Sequence, residues 1–310
     1  MPVINKQKDY RPESSGAIII ELPADFDIKA NLGYLNRNKN ECMFEVENNT
    51  ILRVIAVREK QFLVGIKLID RNQMIIHFLT DSMPTNSEVT LGVRYIRDWF
   101  DLGRNLTSFY EMAKDDVLLK RPAQEFHGLH LIGVPDLFEA LCWGVLGQQI
   151  NLPFAYVLKR RFVEKFGDSI EWNGKHYWIF PSYERIADLT PIDFADIKMT
   201  AKKSEYIIGI AKLMASGEIS KEKLLAMHFI EAEKTLLKIR GIGPWTANYV
   251  LMRCLRFTEA FPIDDVGLHN AIKHVTKSEK KPTKDELLKF SANWTNWESY
   301  ATFYLWRTLY

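Results

Sequence analysis

The first hundred residues contain short apolar runs in which hydrophobic and polar positions alternate, or in which Ile, Val and Phe follow one another. These runs lie at residues 16–21, 50–57, 61–69 and 73–80, and turn-forming residues separate them. Such patterns are typical of antiparallel strands. A helix at residues 28–35 is predicted to cross the resulting small sheet.

From about residue 87 onward, apolar positions recur every three or four residues, which predicts helices. The longest stretch covers residues 136–166, with an expected break at 151–153. Shorter helices are predicted at 193–197, 202–215, 221–227, 230–239, 245–255, 266–275, 284–290 and 294–309. The pattern therefore predicts an α+β protein, with a small antiparallel β-sheet in its N-terminal domain and a larger all-α region after it.

Bulk composition excludes several classes of protein. The net charge is +2 over 310 residues, so contact with nucleic acid would have to come from local basic clusters such as 159–161 and 202–203, for which a solvated helix surface is the favoured interpretation. Cys42, Cys142 and Cys254 are too few for a four-thiolate metal site and are predicted to be buried reduced thiols. No signal peptide or membrane-spanning run is present, so we expect a cytoplasmic protein without membrane association.

The most specific segment is a glycine pair between two predicted helices, Gly241-Ile242-Gly243, followed by Pro244. Two glycines at this spacing permit a tight turn and positive φ, and a proline at the first helical position sacrifices no hydrogen bond. The amides of such a turn point outward and suit a DNA phosphate. On the turn alone, an ordinary corner between two helices is the favoured interpretation.

The longer string Leu-x-x-Ile-x-Gly-Ile-Gly-x-Trp-Thr-Ala, at residues 236–247, resembles the helix-hairpin-helix motif of the base-excision DNA glycosylase superfamily. The resemblance implies an all-α helix-hairpin-helix glycosylase core with Asp265 as the catalytic aspartate and Asp264 as its neighbour. From the residues themselves, one aspartate is expected to cap the helix that follows and the other to project into the cleft. For Asp264, a capping or surface role is the favoured interpretation.

Superfamily members that also cleave the DNA strand carry a lysine nucleophile where this chain has Trp245. The resemblance therefore implies a monofunctional enzyme, in which water hydrolyses the N-glycosidic bond and leaves an abasic site. The transition state would resemble an oxocarbenium ion. Asp265 would stabilise its positive charge, or would orient or deprotonate the water, and both roles stay open.

Three further matches narrow the resemblance to the DNA-3-methyladenine glycosylase II family, the AlkA type. The segment at 145–150 resembles a loop that fills the gap left by a flipped nucleotide, the segment at 294–301 resembles the last helix, and 32–35 resembles a pocket segment. The resemblance implies a base-binding pocket lined by Trp245, Tyr249, Trp297 and Tyr34. It also implies three domains: a mixed N-terminal domain at 1–105, a helical domain at 106–230, and an all-α segment at 231–310 that packs with parts of the second.

Aromatic walls would stack an extruded base and attract the positive charge of alkylated purines such as 3-methyladenine and 7-methylguanine. Core packing is the general alternative for each aromatic residue, and loop polarity for each glutamine. The chain departs from its relatives at Val266, where some carry an aromatic residue, and at Gln149, where the best-known relative has an apolar wedge. These departures concern pocket shape and substrate range rather than the chemistry.

The resemblance also implies partners. The expected substrate is double-stranded DNA that contains damaged bases, bound by a monomer, and no cofactor is expected to be required. The expected DNA-binding residues are Gly241, Ile242, Gly243, Gln148 and Gln149. A structural Na⁺ or K⁺ would be held by the backbone carbonyls of Leu237, Ile239 and Ile242, because oxygen ligands suit a hard cation.

Two other functions stay open. One is a glycosylase of the same fold for another damaged base. The missing lysine argues against the bifunctional oxidised-guanine type, and the missing cysteine cluster argues against the endonuclease III and mismatch-adenine types. The other is a non-catalytic helix-hairpin-helix protein that only binds DNA. Asp265 separates these possibilities, since only an enzyme requires its carboxylate.

Overall fold

The computed structural model describes residues 10–12, 17–70, 72–80 and 84–310, and it confirms an α+β protein. The elements of the N-terminal part are β1 (Tyr10–Pro12), β2 (Ile18–Glu21), α1 (Ile28–Leu35), β3 (Glu45–Glu47), β4 (Thr50–Val57), β5 (Lys60–Asp70) and β6 (Gln73–Phe78). The described strands form one antiparallel sheet in the order β1-β2-β6-β5-β4-β3.

The four predicted strands and the helix at 28–35 lie where the pattern placed them, although residue 16 lies outside the described residues. β4 and β5 form a hairpin whose register pairs Val57 with Lys60, and Arg58 takes a left-handed φ of 56° in its turn. Asp27 caps α1 by accepting a hydrogen bond from the Ala30 amide at 2.7 Å. The short strands β1 and β3 were not predicted, because three residues are too few to show a period.

The remaining chain is mostly helical. Its elements are α2 (Asn86–Trp99), α3 (Thr107–Ala113), α4 (Lys120–Glu125), α5 (Leu137–Leu146), α6 (Leu152–Phe166), β7 (Asp168–Trp172), β8 (Lys175–Ile179), α7 (Tyr183–Ala187), a 3₁₀ helix (Pro191–Ile197), α8 (Ala201–Ala215), α9 (Lys221–Leu225), α10 (Phe229–Leu237), α11 (Pro244–Arg253), α12 (Val266–Thr276), α13 (Lys284–Ser291) and α14 (Glu298–Arg307). The expected break at 151–153 is confirmed, since Asn151 caps α6 by accepting from the Phe154 amide at 2.9 Å.

The expectation of an all-α region after the sheet is wrong at β7 and β8, which pair as a hairpin from Asp168↔Ile179 to Trp172↔Lys175. Its two-residue turn is Asn173-Gly174, both with positive φ (51° and 75°), which is the turn that this dipeptide favours between strands. The hairpin packs onto the N-terminal sheet in a small cluster of Val54, Leu63 and Tyr177. It therefore connects the two parts of the molecule. The domain boundaries themselves stay a prediction.

Close contact between α5 and α11 fixes the two helices on which the site is built. A Cβ atom at Gly144 would lie 2.3 Å from Cγ2 of Thr246. Real Cβ contacts are never that short, so the helices approach each other only because residue 144 has no side chain. The wedge segment after α5 and the hairpin before α11 are thereby held side by side.

A buried ionic network joins the sheet to α5 and α6. Lys159 Nζ lies 2.9 Å from Glu139 Oε1 and 3.3 Å from Glu41 Oε1, and Arg53 Nη2 lies 3.3 Å from Glu139 Oε2. The neighbouring carboxylates raise the pKa of the Lys159 ammonium against the opposing effect of its burial. Lys159 is thus a buried structural cation, and the solvated surface expected for the cluster at 159–161 does not apply to it.

The three cysteines are free, as predicted; Cys142 and Cys254 are buried and Cys42 is half-buried. Burial raises the pKa of the Cys42 and Cys254 thiols to about 12, which makes both poor nucleophiles. Among the described residues, no helix combines the length and the apolar character that crossing a membrane requires.

We predict that Gly144→Ala lowers the free energy of unfolding by about 2 kcal/mol, because the new methyl group must push α5 away from Thr246. The matched control is Gly209→Ala in α8, where a Cβ meets nothing within 4 Å and alanine favours the helix. Urea denaturation of both variants checks this. Equal stability of Gly144→Ala and the unchanged protein would contradict the close helix contact.

Candidate active site

Asp265 is the residue around which the site is built. It is the N-cap of α12, and its Oδ1 accepts from the Leu268 amide at 2.6 Å. The same Oδ1 accepts from Nε1 of Trp306 at 2.7 Å, while Oδ2 accepts from Nε1 of Trp245 at 2.6 Å. Helices α11, α12 and α14 therefore each contribute one N–H donor to this carboxylate.

The donors leave one position on the carboxylate for a ligand. A carboxylate has about four acceptor positions, two on each oxygen. Among the described residues, Oδ1 accepts two hydrogen bonds and Oδ2 accepts one. Gly267 closes the Oδ1 side, because a Cβ there would lie 2.8 Å from Oδ1 and 3.3 Å from Trp306 Nε1. The open acceptor position of Asp265 is therefore on Oδ2.

The two neighbouring aspartates have separate roles. Asp264 is exposed, and its Oδ1 lies 3.3 Å from Lys284 Nζ in a surface ion pair. Asp265 is both the helix cap and the carboxylate in the site. One aspartate was expected to cap the helix and the other to project into the cleft, but Asp265 does both. Asp264 has the surface role that was favoured for it.

Trp245 is half-buried beside this carboxylate. Its ring stacks on Tyr249, with centroids 5.7 Å apart and an interplanar angle of 29°. The far edge of the indole reaches the wedge segment, since a Cβ at Gly147 would lie 3.7 Å from Trp245 Cη2. Trp245 therefore forms one continuous wall from Asp265 to the loop that carries the glutamines.

Tyr34 lies near this group, but it is only 1% exposed because other side chains pack on its ring. The Arg37 guanidinium lies 3.8 Å from the ring centroid, and the Phe303 ring packs on Tyr34 at 4.5 Å. Tyr34 and Tyr249 both line one cavity of about 40 Å³. Tyr34 thus contributes a ring edge to a pocket, and the stacking surface expected of it is occupied by the protein itself.

Trp297 lies elsewhere in the structure. It packs on Phe109 and Tyr300, with centroids 5.8 and 5.6 Å away. Trp306 is nine residues further along the same helix, about 13 Å along its axis. The tryptophan of the last helix that lies beside Asp265 is therefore Trp306, and Trp297, which was expected there, packs away from it.

The hairpin has the predicted turn with one difference. Gly241 takes a positive φ of 94°, and a Cβ there would lie 2.4 Å from Cγ of Tyr206, so only glycine fits. Gly243 is extended (φ −97°, ψ 178°) and is the N-cap of α11, with Pro244 at the first helical position as predicted. A Cβ at Gly243 would meet nothing within 4 Å. The turn is thus open at Gly243, where the backbone can be approached closely. The Ile242 side chain is buried in the core, so a DNA contact at Ile242 would have to come from its backbone.

The two glutamines of the wedge segment differ in their contacts. Gln148 Nε2 donates to the Gly241 carbonyl at 2.8 Å and so ties the wedge to the hairpin. Gln149 is exposed and has a left-handed φ of 57°. Among the described residues, nothing hydrogen-bonds the Gln149 side chain. Of the pair, Gln149 is therefore the residue free to reach a partner.

Comparison with known proteins identifies the family. The model of the HhH-GPD superfamily of base excision DNA repair proteins matches residues 142–296, which is half of the chain and includes the wedge, the hairpin and Asp265. The chain belongs to the HhH-GPD superfamily. A second model, the N-terminal domain of 8-oxoguanine DNA glycosylase, matches residues 20–141. The resemblance of the hairpin string is therefore confirmed.

Two of the similar proteins cover nearly the whole chain, and a third covers about two thirds of it. A protein named DNA-3-methyladenine glycosylase, from Bacillus subtilis, is 66% identical over 302 residues, which are 96% of this chain and 99% of that protein. The solved 3-methyladenine DNA-glycosylase of Archaeoglobus fulgidus has the same fold, with a TM-score of 0.81 at 23% identity over 93% of this chain and 96% of its own. A Schizosaccharomyces pombe 3-methyladenine DNA glycosylase, solved with abasic DNA, has a TM-score of 0.56 at 26% identity and covers 65% of this chain and 96% of its own.

The HhH-GPD hairpin also carries the carbonyls predicted to bind a monovalent cation. The Ile239 carbonyl accepts from the Ile242 amide at 3.0 Å, and a carbonyl oxygen has a second lone pair for a metal. No cluster of His, Cys, Asp or Glu suited to a metal occurs within the described ranges. The cation therefore stays a prediction, with the carbonyls of Leu237, Ile239 and Ile242 as its expected ligands.

Trp306 and Gly267 are the residues of the site that sequence reasoning missed. The last helix is rich in aromatic residues, and nothing in its pattern distinguishes Trp306 from the others. Gly267 carried a readable signal, since a glycine two residues after a proposed catalytic aspartate, inside a helix, suggests crowding. The structure is needed to show which atoms are crowded there, namely Asp265 Oδ1 and Trp306 Nε1.

We predict that Trp306→Phe slows base release from methylated DNA by about 10-fold, because Oδ1 loses one N–H donor while the aromatic packing remains. DNA affinity should change little. Trp294→Phe is the matched control, since Trp294 Nε1 donates to Asp116 at 2.8 Å away from the site. That variant should lower the melting temperature and leave the rate of the folded protein unchanged. Unchanged release by Trp306→Phe would remove Trp306 from the site.

Proposed function

We propose that this protein is a monofunctional DNA glycosylase that hydrolyses the N-glycosidic bond of alkylated purines, such as 3-methyladenine and 7-methylguanine, in double-stranded DNA. The product is an abasic site, and the enzyme acts as a monomer in base excision repair. The observation that carries the proposal is the Asp265 carboxylate, held by three N–H donors with one Oδ2 position open beside Trp245. The relative with 66% identity supports the choice of alkylated purines.

The reaction needs stabilisation of positive charge on the sugar. As the glycosidic bond breaks, its electron pair stays on the base and the sugar becomes an oxocarbenium-like cation. The alkylated purine, cationic before the bond breaks, leaves as a neutral base. A water molecule then bonds to C1′, and the proton that the water loses passes to solvent. Asp265 supplies a fixed negative charge at the open side of Oδ2, where it costs no reorganisation during the reaction. The same oxygen is placed to orient the water.

Alkylated purines suit a site that gives the leaving base little help by protonation. Their positive charge already makes them good leaving groups, and aromatic faces attract that charge. The faces of Tyr34 and Tyr249 already have guanidinium groups over them, from Arg37 at 3.8 Å and Arg253 at 5.5 Å. Recognition of a cationic base through an aromatic face therefore falls to the half-buried Trp245, while Trp306, which is 7% exposed, holds the Asp265 carboxylate.

A lyase is the alternative that the 8-oxoguanine N-terminal model raises. A lyase needs an amine nucleophile at the reacting sugar. Position 245 is a tryptophan, and the groups that hydrogen-bond to the Asp265 carboxylate among the described residues are two indoles and a backbone amide. The geometry favours hydrolysis by water.

We predict that Asp265→Asn abolishes release of 3-methyladenine and 7-methylguanine, with a loss of at least about 100-fold, because the fixed negative charge disappears. Binding to methylated duplex DNA should be retained. Single-turnover release followed by chromatography, with fluorescence anisotropy for DNA binding, checks both. Asp264→Asn is the matched control and should release base at the original rate, since Asp264 lies in a surface ion pair.

Base release at the original rate by Asp265→Asn would refute the catalytic assignment. Strand nicking that borohydride traps as a covalent complex would instead support a lyase. Free base without nicking is the result that hydrolysis requires.

Gln149 is proposed as the side chain that fills the gap left by the flipped nucleotide, because it is exposed in a left-handed conformation next to the hairpin. We predict that Gln149→Ala slows release from a fully paired duplex by about 10-fold and has little effect where the lesion is mispaired, since an unpaired base needs less help to leave the stack. Release rates from both duplexes check this.

Gln148→Ala serves as the comparison for the wedge. Gln148 holds the Gly241 carbonyl, so its loss should lower the melting temperature and affect both duplexes equally. If only Gln148→Ala slowed release from the paired duplex, the side chain that fills the gap would be Gln148 and not Gln149.

At the hairpin turn, we propose that a structural Na⁺ or K⁺ is bound by the carbonyls of Leu237, Ile239 and Ile242. This ion would take no part in the reaction.

A further inference from the structure

Arg253, at the end of α11, is a buried cation whose terminal nitrogens have no acceptor. Its side chain is 5% exposed, and its Nε donates to the Ile132 carbonyl at 2.8 Å. Within the described part of the chain, Nη1 and Nη2 donate no hydrogen bond, and no carboxylate forms an ion pair with Arg253. The rings of Tyr34, Tyr249 and Phe303 lie 5.5–5.6 Å from the Arg253 Cζ atom and offset part of the cost of burying its charge. The terminal N–H groups still have no oxygen acceptor among the described residues, so they are available to a ligand.

Arg256 shows what a structural arginine looks like in the same place. Its Nε lies 3.1 Å from Asp98 Oδ1, its Nη1 donates to the Leu131 carbonyl at 2.7 Å, and its Nη2 donates to the carbonyls of Asp98 and Trp99. Every nitrogen of that guanidinium is used within the protein. Arg253, three residues earlier, is left with its terminal pair of nitrogens unused.

The space in front of Arg253 is the small cavity that Tyr34 and Tyr249 also line. Its charged lining residues are four cations, Arg37, Arg53, Lys159 and Arg253, and two carboxylates, Glu41 and Glu139. Both carboxylates are already held by Lys159 and Arg53. The cavity therefore keeps an excess of two guanidinium charges, and it favours a ligand that presents hydrogen-bond acceptors.

Tyr249 links the cavity to the wall that begins at Asp265, although Asp265 and Trp245 do not themselves line the cavity. Residues 245, 249 and 253 are four apart, so they share one face of α11. The Tyr249 ring lies between its neighbours, 5.7 Å from the Trp245 ring and 5.5 Å from the Arg253 guanidinium. A volume of about 40 Å³ has room for the edge of a base rather than for a whole purine.

We propose that Arg253 donates hydrogen bonds to the C6 carbonyl oxygen of a flipped 6-oxopurine, and so favours release of 7-methylguanine and hypoxanthine over bases with a 6-amino group. This inference rests on the proposed function. Every 6-oxopurine presents an acceptor at O6, whereas adenine presents a donor at N6. Hypoxanthine offers N7 as a second acceptor, but in 7-methylguanine N7 carries the methyl group, so O6 is the acceptor that the two bases share. Guanidinium N–H groups can donate to the O6 atom of a 6-oxopurine, but against adenine they would face the N6 amino group, which is itself a donor.

The same contact assists the bond-breaking step for a neutral base. When the C1′–N9 bond of hypoxanthine breaks, its electron pair moves onto the base and delocalises to O6. Arg253 stabilises that negative charge while water bonds to C1′ and one water proton ends on the base. 7-Methylguanine is already cationic, so for it Arg253 contributes recognition more than assistance.

The test compares release of three bases by Arg253→Met, which keeps the apolar stem and removes the donors. We expect release of hypoxanthine and 7-methylguanine, each divided by release of 3-methyladenine, to fall by about 10- to 100-fold, the effect of losing a hydrogen bond to a charged donor. Arg253→Lys, which keeps the charge, should recover part of the ratio. Arg256→Lys is the matched control: it should lower the melting temperature and leave both ratios unchanged.

Equal loss for all three bases, or no loss for any, would overturn the proposal, because Arg253 would then be structural or unused. Binding of free hypoxanthine, measured by calorimetry, provides a second readout without catalysis. The unchanged protein should bind it, and Arg253→Met should bind it at least 10-fold more weakly. If the unchanged protein released none of the three bases, the proposed function would fail, while the calorimetric comparison would still decide the role of Arg253.

Discussion

Three helices meet at one carboxylate, and the site depends on that meeting. Asp265 caps its own helix and accepts indole N–H groups from Trp245 and Trp306, which lie on helices before and after it in the chain. The carboxylate cannot shift without breaking hydrogen bonds from all three helices. Such a fixed charge acts on a developing cation without reorganising first, which is why position matters here more than acidity.

The rest of the structure serves to hold this geometry. Gly144 lets α5 and α11 approach, and Gln148 ties the wedge to the hairpin, so the residue free to reach DNA is the neighbouring Gln149. Gly267 leaves room for the carboxylate beside Trp306. Small or polar residues at these contacts thus set the positions of the helices, and the helices in turn fix the Asp265 carboxylate.

Local patterns in the sequence predicted most elements and the carboxylate, because the relevant signals are close in the chain. Period-two runs located the sheet, and the hairpin string with its aspartate located the site. The Asn173-Gly174 hairpin was readable but was missed within a helical context. The choice of Trp306 over Trp297 was not readable, because it depends on which end of α14 packs against α12. Likewise, the covering of Tyr34 by Arg37 and Phe303 arises from tertiary packing.

The central claim is that Asp265 opposes positive charge on the sugar of a flipped nucleotide. The most direct measurement compares affinity for two duplexes, one with a neutral abasic analogue and one with a cationic pyrrolidine analogue in the same position. The account predicts that the unchanged protein prefers the cationic analogue by at least about 10-fold and that Asp265→Asn loses this preference. An equal preference in both proteins would show that the charge is recognised by some other group, and the account would be wrong.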